Sequence, residues 1–349
     1  MEDVTDVVFR RLSRTLGADL TVTEFVNVEG LLRGCRNARR KLRLADDDAL
    51  TAIQIYGSDP ERLAEAASVA EEAEPLYVDI NCGCWVPKIA ARGAGAGWLR
   101  DPDAMVKMVS MVVARVKRPV TVKTRIGYGP ESHMPIVELA ARLEQTGIAA
   151  LTIHCRTANM GHKGNADWKW AGLAQERVQI PVIVNGDVVS GEAAESALRS
   201  TKAAGVMVGR RAIEHPWVFR EIRHRLATGT DLPAPTTKER FDLCRTHLLA
   251  NVAERGLPHG VRVTRRHLTG YLSGIPGAAM LRQALFREDD LAKNLELIDE
   301  AEARAEKWTR EGRTEPNRSE PNDIELSQPE QVVADHKSDA FANDAVSVA

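Results

Sequence analysis

The sequence lacks an apolar run of about 18 residues, which a membrane-spanning helix requires, and its acidic amino terminus has no signal-peptide core. Its five cysteines are odd in number and scattered, which argues against a disulfide framework and is typical of a reducing compartment. The net charge of −2 excludes a globally basic nucleic-acid binder. We therefore expect a cytoplasmic, monomeric protein with no membrane contact and no obligate protein partner.

An early Gly-x-Gly-x-x-Gly turn is also missing, which disfavours a dinucleotide-binding sheet. Short Val/Ile-rich segments instead alternate with segments of helical spacing, as in a parallel sheet covered by helices. We predict an α/β fold, a (β/α)8 TIM barrel. The predicted strands are 18–23, 52–56, 76–80, 120–123, 150–154, 182–185 and 205–208, and the predicted helices are 7–16, 60–72, 103–116, 134–146 and 191–200.

Only seven of the eight barrel strands can be counted, and the absent one is the first. Residues 1–6 already have the pattern of a strand-to-helix loop, with Thr5 or Asp6 as the N-cap of the next helix. A barrel without its first strand has two unpaired edges. We therefore expect that strand to lie upstream or to be truncated.

Three regions follow from composition. Residues 1–230 form the predicted barrel domain, and 236–310 form a predicted all-helical domain after a proline-containing linker. Within 236–285, eight Lys/Arg oppose three Asp/Glu. From 311 to 349, nine acidic residues oppose three basic ones, so this tail is predicted to be disordered.

Cys84 follows the predicted strand 76–80, at the end where barrels place their chemistry. A free thiol, with a reference pKa of about 8.5, is mostly protonated at neutral pH and can act as a general acid. Burial as a small apolar side chain is the commoner fate of a free cysteine. Cys82 forms a Cys-x-Cys with Cys84, but no further ligands lie at metal-site spacing, so we expect no metal.

Lys123 and His154 end two successive strands, where an anionic ligand could hold a cation. The glycine-containing turns at 185–187 and 209–210 follow the last two strands, where barrel enzymes commonly bind phosphate. Together these features suggest a phosphorylated cofactor.

Two basic segments could contact a phosphate backbone. Residues 33–43 hold six Lys/Arg, a run that is usually a solvated helix face. Arg265, Arg266 and His267 share a predicted helix with Tyr271, which offers cations and an aromatic ring to RNA.

The sequence resembles the tRNA-dihydrouridine synthase family over about residues 1–300. The similar blocks, in order, are Met1-Glu2-Asp3-Val4-Thr5-Asp6, Thr23-Glu24-Phe25, Gln54-Ile55-Tyr56-Gly57, Asn81 to Cys84, Val122 to Gly127, Ile153 to Thr157, Ala166-Asp167-Trp168, Asn185-Gly186-Asp187, Gly209-Arg210 and Arg265 to Pro276. The resemblance implies an FMN-dependent barrel that reduces uridine in tRNA, with NADPH as reductant.

The resemblance also implies roles for individual residues. Cys84 takes the place of the proton donor, and the flavin delivers hydride to C6 of uracil. The matched cofactor positions are Met1, Gln54, Lys123, His154, Asn185, Gly186, Asp187, Gly209 and Arg210. The matched substrate or tRNA positions are Asn81, Arg156, Arg265, Arg266 and His267.

The sequence departs from the family pattern in two loops, at three residues. Trp85 stands where the family has proline, and Met160 and His162 replace its glutamine and tyrosine. Two alternatives stay open: another FMN barrel acting on a small molecule, such as a dihydroorotate dehydrogenase, and a catalytically inactive RNA-binding barrel. The appended basic helical segment disfavours the first.

Overall fold

The computed structural model describes residues 1–45, 50–130 and 134–311. Its strands are β1 (Thr21–Val22), β2 (Val26–Asn27), β3 (Thr51–Tyr56), β4 (Val78–Cys82), β5 (Val120–Arg125), β6 (Ala150–His154), β7 (Val182–Asn185) and β8 (Gly205–Met207). Its helices are α1 (Val7–Thr15), α2 (Val28–Leu32), α3 (Arg36–Lys41), α4 (Pro60–Glu71), α5 (Pro87–Ala90), α6 (Pro102–Arg115), α7 (Ile136–Glu144), α8 (Lys169–Arg177), α9 (Gly191–Thr201), α10 (Arg211–Glu214), α11 (Val218–Thr228), α12 (Thr237–Arg255), α13 (His259–Tyr271), α14 (Ala278–Arg287) and α15 (Leu291–Arg310), with a 3₁₀ helix at Gly95–Arg100.

The strands form one parallel sheet in the order β1-β3-β4-β5-β6-β7-β8, and β2 also pairs with β3. Each strand from β3 to β7 is followed by at least one helix, so the helices cover the outside of a barrel-like sheet. The predicted parallel α/β barrel architecture is thus confirmed, and each of the seven predicted strands overlaps a strand of the structure. The structure adds β2, α2, α5, α8, α10, α11 and the 3₁₀ helix, which the sequence pattern did not predict.

One extra residue lies between β1 and β2. Val22 pairs with Ala52, whereas Val26 pairs with Ile55, so four steps on this side oppose three on β3. Such a bulge re-aims the side chains beside it. Here it carries the buried Glu24 and the ring of Phe25, which packs edge-on against Tyr56 at the end of β3, 4.9 Å away.

The strands β3, β4 and β6 are buried on both faces, since they consist almost wholly of residues with little solvent exposure. Their Val, Ile and Ala side chains join those of the outer helices in one apolar cluster. Asp59 and Asp101 cap α4 and α6, and a proline occupies the first turn of each helix. These local signals begin the helices where the sequence predicted them.

The sequence predicted that residues 236–310 are all helical, and the structure forms four helices there, α12 to α15. Their apolar side chains build a second cluster that also takes in Trp217 and packs against Leu16 of the barrel segment. Arg255 of α12 pairs with Asp6 at 2.8 Å, so the start of α1 is fastened to the helices. The domain boundary at 230–236 remains a prediction, and the predicted disordered tail lies outside the described residues from 312 onward.

Candidate active site

The turn after β4 presents Cys84 beside the end of β5. The register pairs Asn81 with Lys123, and Cys82 with Thr124. Asn81 closes the turn, because its Oδ1 accepts from the backbone N–H groups of Gly83 (3.2 Å) and Cys84 (2.9 Å). The thiol is therefore carried on a hydrogen-bonded turn and not on a free loop.

The glycine-rich segment after this turn allows the backbone to pass close to Cys84. The carbonyl oxygen of Cys84 accepts from the Ala96 N–H at 2.9 Å. A Cβ added at Gly95, whose φ is +57°, would lie 2.8 Å from the Cys84 carbonyl oxygen. Glycine is thus required here both for the left-handed backbone and for the close approach.

Burial raises the pKa of the Cys84 thiol above its ordinary value, and the positive charges of Arg125 and Lys123 oppose this effect only in part. The thiol is consequently protonated at neutral pH. Cys84 can donate a proton, as the sequence predicted, and it is poorly suited to act as a thiolate nucleophile.

Lys123 lies within the barrel mouth, and its Nζ donates to Asn185 Oδ1 at 3.0 Å. Asn185 is held in that orientation because its Nδ2 donates to the Met207 carbonyl oxygen at 2.8 Å. Burial, followed by the neighbouring charge of Arg125, lowers the pKa of Lys123 to about 8. The structure thus brings together two of the predicted cofactor residues.

The buried Arg156 and the half-buried Asp187 form an ion pair. Nη2 of Arg156 donates to both Asp187 oxygens, at 2.7 and 2.8 Å, and to the Gly164 carbonyl oxygen at 2.7 Å. The same carboxylate accepts from the Ala166 N–H at 2.7 Å. These contacts join the loops after β6 and β7, so both side chains are already engaged within the protein.

His154 lies against this ion pair. Burial lowers its pKa far below the ordinary value, and nearby Lys123 and Arg125 add to the effect, so the imidazole is neutral. Gly186 has a φ of +108°, and a Cβ there would come within 2.9 Å of the His154 ring. The glycine predicted at this turn therefore permits the histidine to occupy the mouth.

Gly209 and Arg210 lie at the end of β8. A Cβ added at Gly209 would meet nothing within 4 Å, so space remains beside the backbone. Arg210 is exposed, and its side chain makes no hydrogen bond or ion pair with any residue that the structure describes. An open backbone next to an unpaired guanidinium can bind a phosphate group.

Met1 lies at the surface, and its amino group donates to Thr5 Oγ1 at 3.0 Å. Its predicted contact with the cofactor stays a prediction.

The predicted RNA-contacting side chains on α13 mostly make contacts within the protein. Arg265 donates to Asp289 Oδ1 at 2.7 Å and to the Glu288 carbonyl oxygen at 2.9 Å. Arg266 donates to the Glu2 carbonyl oxygen at 3.0 Å and remains partly exposed. His267 is buried with its ring centroid 4.5 Å from that of Phe9. The segment therefore also holds α13 to its neighbours, and its contact with RNA stays a prediction.

The sequence did not single out Arg125 as a site residue. Its Nε donates to the Gly83 carbonyl oxygen at 2.8 Å, and its Nη1 donates to those of Thr157 (2.8 Å) and Gly161 (2.9 Å). Arg125 thereby fastens the Cys84 turn to the loop after β6. The available signal was a second cation two residues after Lys123.

Trp85 and His162, two of the three residues that depart from the family pattern, contact each other. Their rings meet edge-on with centroids 5.5 Å apart, and Trp85 Nε1 lies 3.4 Å from His162 Nε2. Trp85 therefore packs toward the β6 loop and covers Gly161. The tryptophan after Cys84 and the histidine in the loop after β6 thus pack against each other.

No group of three or more His, Cys, Asp or Glu side chains that could hold a metal ion occurs among the described residues. Within the same part of the chain, no helix is both long and apolar enough to cross a membrane.

A parallel barrel-like sheet with a protonated thiol, a half-buried lysine and an open cationic turn at its mouth defines a barrel enzyme. A family model for dihydrouridine synthase matches residues 1–307. The chain belongs to the dihydrouridine synthase family and is an oxidoreductase, as the resemblance implied.

Curated relatives agree with this assignment. The chain is 37% identical over 286 residues to a probable tRNA-dihydrouridine synthase of Rickettsia bellii, covering 82% of this chain and 87% of that protein. It is 37% identical over 302 residues to probable tRNA-dihydrouridine synthase 1 of Synechocystis sp., covering 86% and 84%. It is 37% identical over 290 residues to tRNA-dihydrouridine synthase B of Pseudomonas syringae pv. tomato, covering 83% and 86%.

A solved old yellow enzyme homologue from Zymomonas mobilis superposes on 68% of this chain and 88% of its own, with 14% identity and a TM-score of 0.42. A superposition this loose carries no weight for function.

Proposed function

We propose that this protein is an FMN-dependent tRNA-dihydrouridine synthase, which reduces uridine in tRNA to 5,6-dihydrouridine with NADPH as reductant. The observation that carries the proposal is the protonated Cys84 thiol, held on a closed turn beside Lys123 at the barrel mouth. Family membership and the names of the curated relatives point to the same reaction. The cytoplasm and a monomeric state remain predictions.

The residues present fit a flavin mononucleotide. Gly209 leaves open space and Arg210 an unpaired cation for the phosphate, as a dianion requires. Lys123, Gln54 and Asn185 would lie along the ring and ribityl chain, and His154 would contribute a neutral ring. When bound, FMN supplies the hydride that C6 of uracil requires.

The side chains of the protein supply the proton and the charge. Cys84 would hold a proton on Sγ and release it to C5 of uracil, while Lys123 would stabilise negative charge at the carbonyl edge of the ring. Arg125 keeps the Cys84 turn in place from the neighbouring strand. The target base must leave its stack to reach this site, which costs about a few kcal/mol.

Exposed cations would hold the tRNA through its phosphates. Arg36, Arg39 and Arg40 of α3 are exposed and have no partner among the residues that the structure describes. The neighbouring Lys41 pairs with Glu2, whose carbonyl oxygen accepts from Arg266 of α13. The α3 cations and Arg266 thus flank one point of the surface, and we assign both to the tRNA contact.

The test uses the purified protein with NADPH and unmodified tRNA, and dihydrouridine is measured by mass spectrometry of digested RNA. Cys84→Ala should retain its flavin absorbance and lose about 10²-fold or more in product formation, the usual worth of a general acid. Cys35→Ala, which removes an exposed cysteine, is the matched control and should act as the wild type. Normal turnover by Cys84→Ala would show that another group donates the proton.

A further inference from the structure

A series of hydrogen bonds runs from Asp79 of β4 through Gln54 and Asn81 to the Cys84 turn, and Thr121 contacts Asp79 from outside this series. Thr121 Oγ1 donates to Asp79 Oδ1, and Gln54 Nε2 donates to Asp79 Oδ2 at 2.6 Å. Asn81 Nδ2 then donates to Gln54 Oε1 at 2.8 Å. Asn81 Oδ1 accepts from the Cys84 backbone N–H, and the series of hydrogen bonds ends there.

All three side chains between the strand interior and the turn are buried: Asp79 is 3% exposed, Gln54 6% and Asn81 7%. A buried amide that faces the wrong neighbour leaves a donor against a donor, at a cost comparable to a lost hydrogen bond. Water cannot relieve such a mismatch where the side chains are covered. The direction of every hydrogen bond in the series from Asp79 to the Cys84 turn is therefore fixed by the groups at the two ends of the series.

The two ends require the same direction. At the turn, backbone N–H groups can only donate, so Asn81 must present its oxygen there and its Nδ2 to Gln54. At the other end, an ionised carboxylate can only accept, so Gln54 must present its Nε2 to Asp79 and its oxygen to Asn81. The two amides fit between these ends without a conflict.

We propose that Asp79 is a positioning residue for the reaction, which sets the orientation of Gln54 and Asn81 and thereby holds the Cys84 turn closed. Asp79 does not reach the thiol itself, and it acts through two amides. The inference rests on the proposed function only in that the Cys84 thiol must be held in one place to donate its proton.

The surroundings keep Asp79 in the accepting form at neutral pH. Burial raises its pKa to about 6, and the hydrogen bonds from Thr121 and Gln54, with the charge of Lys123, limit that rise. At pH 8 the carboxylate is ionised, so experiments are best carried out there.

The first test compares Asp79→Leu with Thr121→Val in a Cys35→Ser background. Asp79→Leu removes the acceptor that orients Gln54, whereas Thr121→Val removes a donor that lies outside the path to the turn. Alkylation of Cys84 by iodoacetamide, followed by peptide mass spectrometry, reports how well the turn is closed. We expect about tenfold faster alkylation for Asp79→Leu, as loss of one charge-assisted hydrogen bond predicts, and the wild-type rate for Thr121→Val.

Turnover gives the second readout. Displacement of the thiol should lower kcat by about 10²-fold in Asp79→Leu, while the KM for tRNA stays unchanged because no RNA contact is lost. A general loss of folding would instead change KM, flavin content and the melting temperature together. Wild-type alkylation and wild-type kcat in Asp79→Leu would overturn the proposal.

If Asp79→Leu does not fold, a double variant that exchanges the carboxylate of residue 79 with the amide of residue 54 tests the proposal. In the double variant Asp79→Asn with Gln54→Glu, the amide at position 79 would donate to the carboxylate at position 54. That carboxylate would also accept from Asn81, so the oxygen of Asn81 would still face the turn. Gln54→Glu alone places two carboxylates side by side, and its alkylation should be faster than in the wild type.

We expect the exchange to return the alkylation rate toward that of the wild type. Alkylation in the exchange variant as fast as in Gln54→Glu would overturn the proposal. Alkylation needs no tRNA, so a wild-type protein that made no dihydrouridine would contradict the proposed function and leave the positioning test valid.

Discussion

Lys123 shows how burial adjusts a single side chain for its task. Among the residues that the structure describes, its ammonium group donates to Asn185 alone, at the mouth of the barrel. Burial disfavours the charged form, and the pKa falls to about 8. The lysine is therefore still charged at neutral pH, and the loss of its charge falls within an accessible pH range.

We predict that the rate of flavin reduction by NADPH falls as pH rises through about 8, because Lys123 then loses its proton. Lys123→Ala should be slow at every pH and should lack this decline. Stopped-flow absorbance between pH 6.5 and 9.5 measures both. Lys107→Ala on the exposed side of α6 is the control, and a decline that persists in Lys123→Ala would assign the titration to another group.

At the scale of elements, glycines set how closely the last helices approach the barrel. A Cβ added at Gly270 of α13 would lie 2.5 Å from the Glu214 carbonyl oxygen of α10. Contacts this short with backbone cannot be relieved by a side-chain rotation. The helices and the barrel segment are thus joined at backbone distance.

Gly270→Ala should destabilise the protein by about 1–3 kcal/mol, because α13 must move away from α10. Thermal unfolding of the two proteins tests this. Thr269→Ala, a change of similar size at the adjacent position, should stay within about 0.5 kcal/mol of the wild type. Equal effects of the two substitutions would mean that α13 tolerates the shift.

A histidine pair joins α12 and α13 behind Phe9 of α1. The His247 and His267 ring centroids lie 4.5 Å apart, and His247 Nδ1 lies 3.1 Å from the Tyr271 hydroxyl. Burial lowers the pKa of His247 to about 4 and lowers that of His267 as well. Both rings are therefore neutral in the folded protein, so the fold loses stability when they must accept protons.

The unfolded chain binds more protons than the folded one between the ordinary histidine pKa of 6.5 and about 4. Stability should therefore fall as pH drops through that window, by on the order of 3 kcal/mol for His247 alone. His247→Phe should reduce this slope in urea unfolding measured from pH 7 to 4.5. Thr246→Ala on the same helix should keep it, and an unchanged slope in His247→Phe would exclude His247 as its source.

At the scale of the whole molecule, the basic side chains fall into two groups. Some form ion pairs that stabilise the fold, and others have no ion pair among the described residues and are available to a ligand. Arg245, Arg255 and Arg265 each form ion pairs between helices or with the barrel segment. The side chains of Arg36, Arg39 and Arg40 on α3, in contrast, have no partner in the described part of the chain. The fold therefore leaves basic side chains beside the barrel mouth, although the overall charge is near neutral.

Arg36→Glu, Arg39→Glu and Arg40→Glu combined should raise the KM for tRNA by about tenfold or more, because phosphate contacts are lost and repulsion is added. The salt dependence of tRNA binding should flatten by about two to three units of slope. The matched control reverses Lys107, Arg199 and Lys202 on the outer helices. If both triple variants bind tRNA equally, the α3 cations do not contact it.

Sequence alone determined the architecture and the chemistry of single positions. Val/Ile-rich strands, helix caps and strand-end placement are local signals, so they predicted the barrel, the helical character of the segment after it and the positions of Cys84, Lys123 and Gly209. Local signals could not show that Arg265 and His267 are largely occupied within the protein, since burial depends on what packs against α13.

Only the tertiary structure decided which side chains act on one another. Asp79, Gln54 and Asn81 come from two strands, and their hydrogen bonds follow from the register between those strands. Arg125, likewise, reaches carbonyl oxygens on two different loops. A sequence records which groups can donate and accept, whereas the direction of each hydrogen bond is set by the neighbours that the fold places within 3 Å.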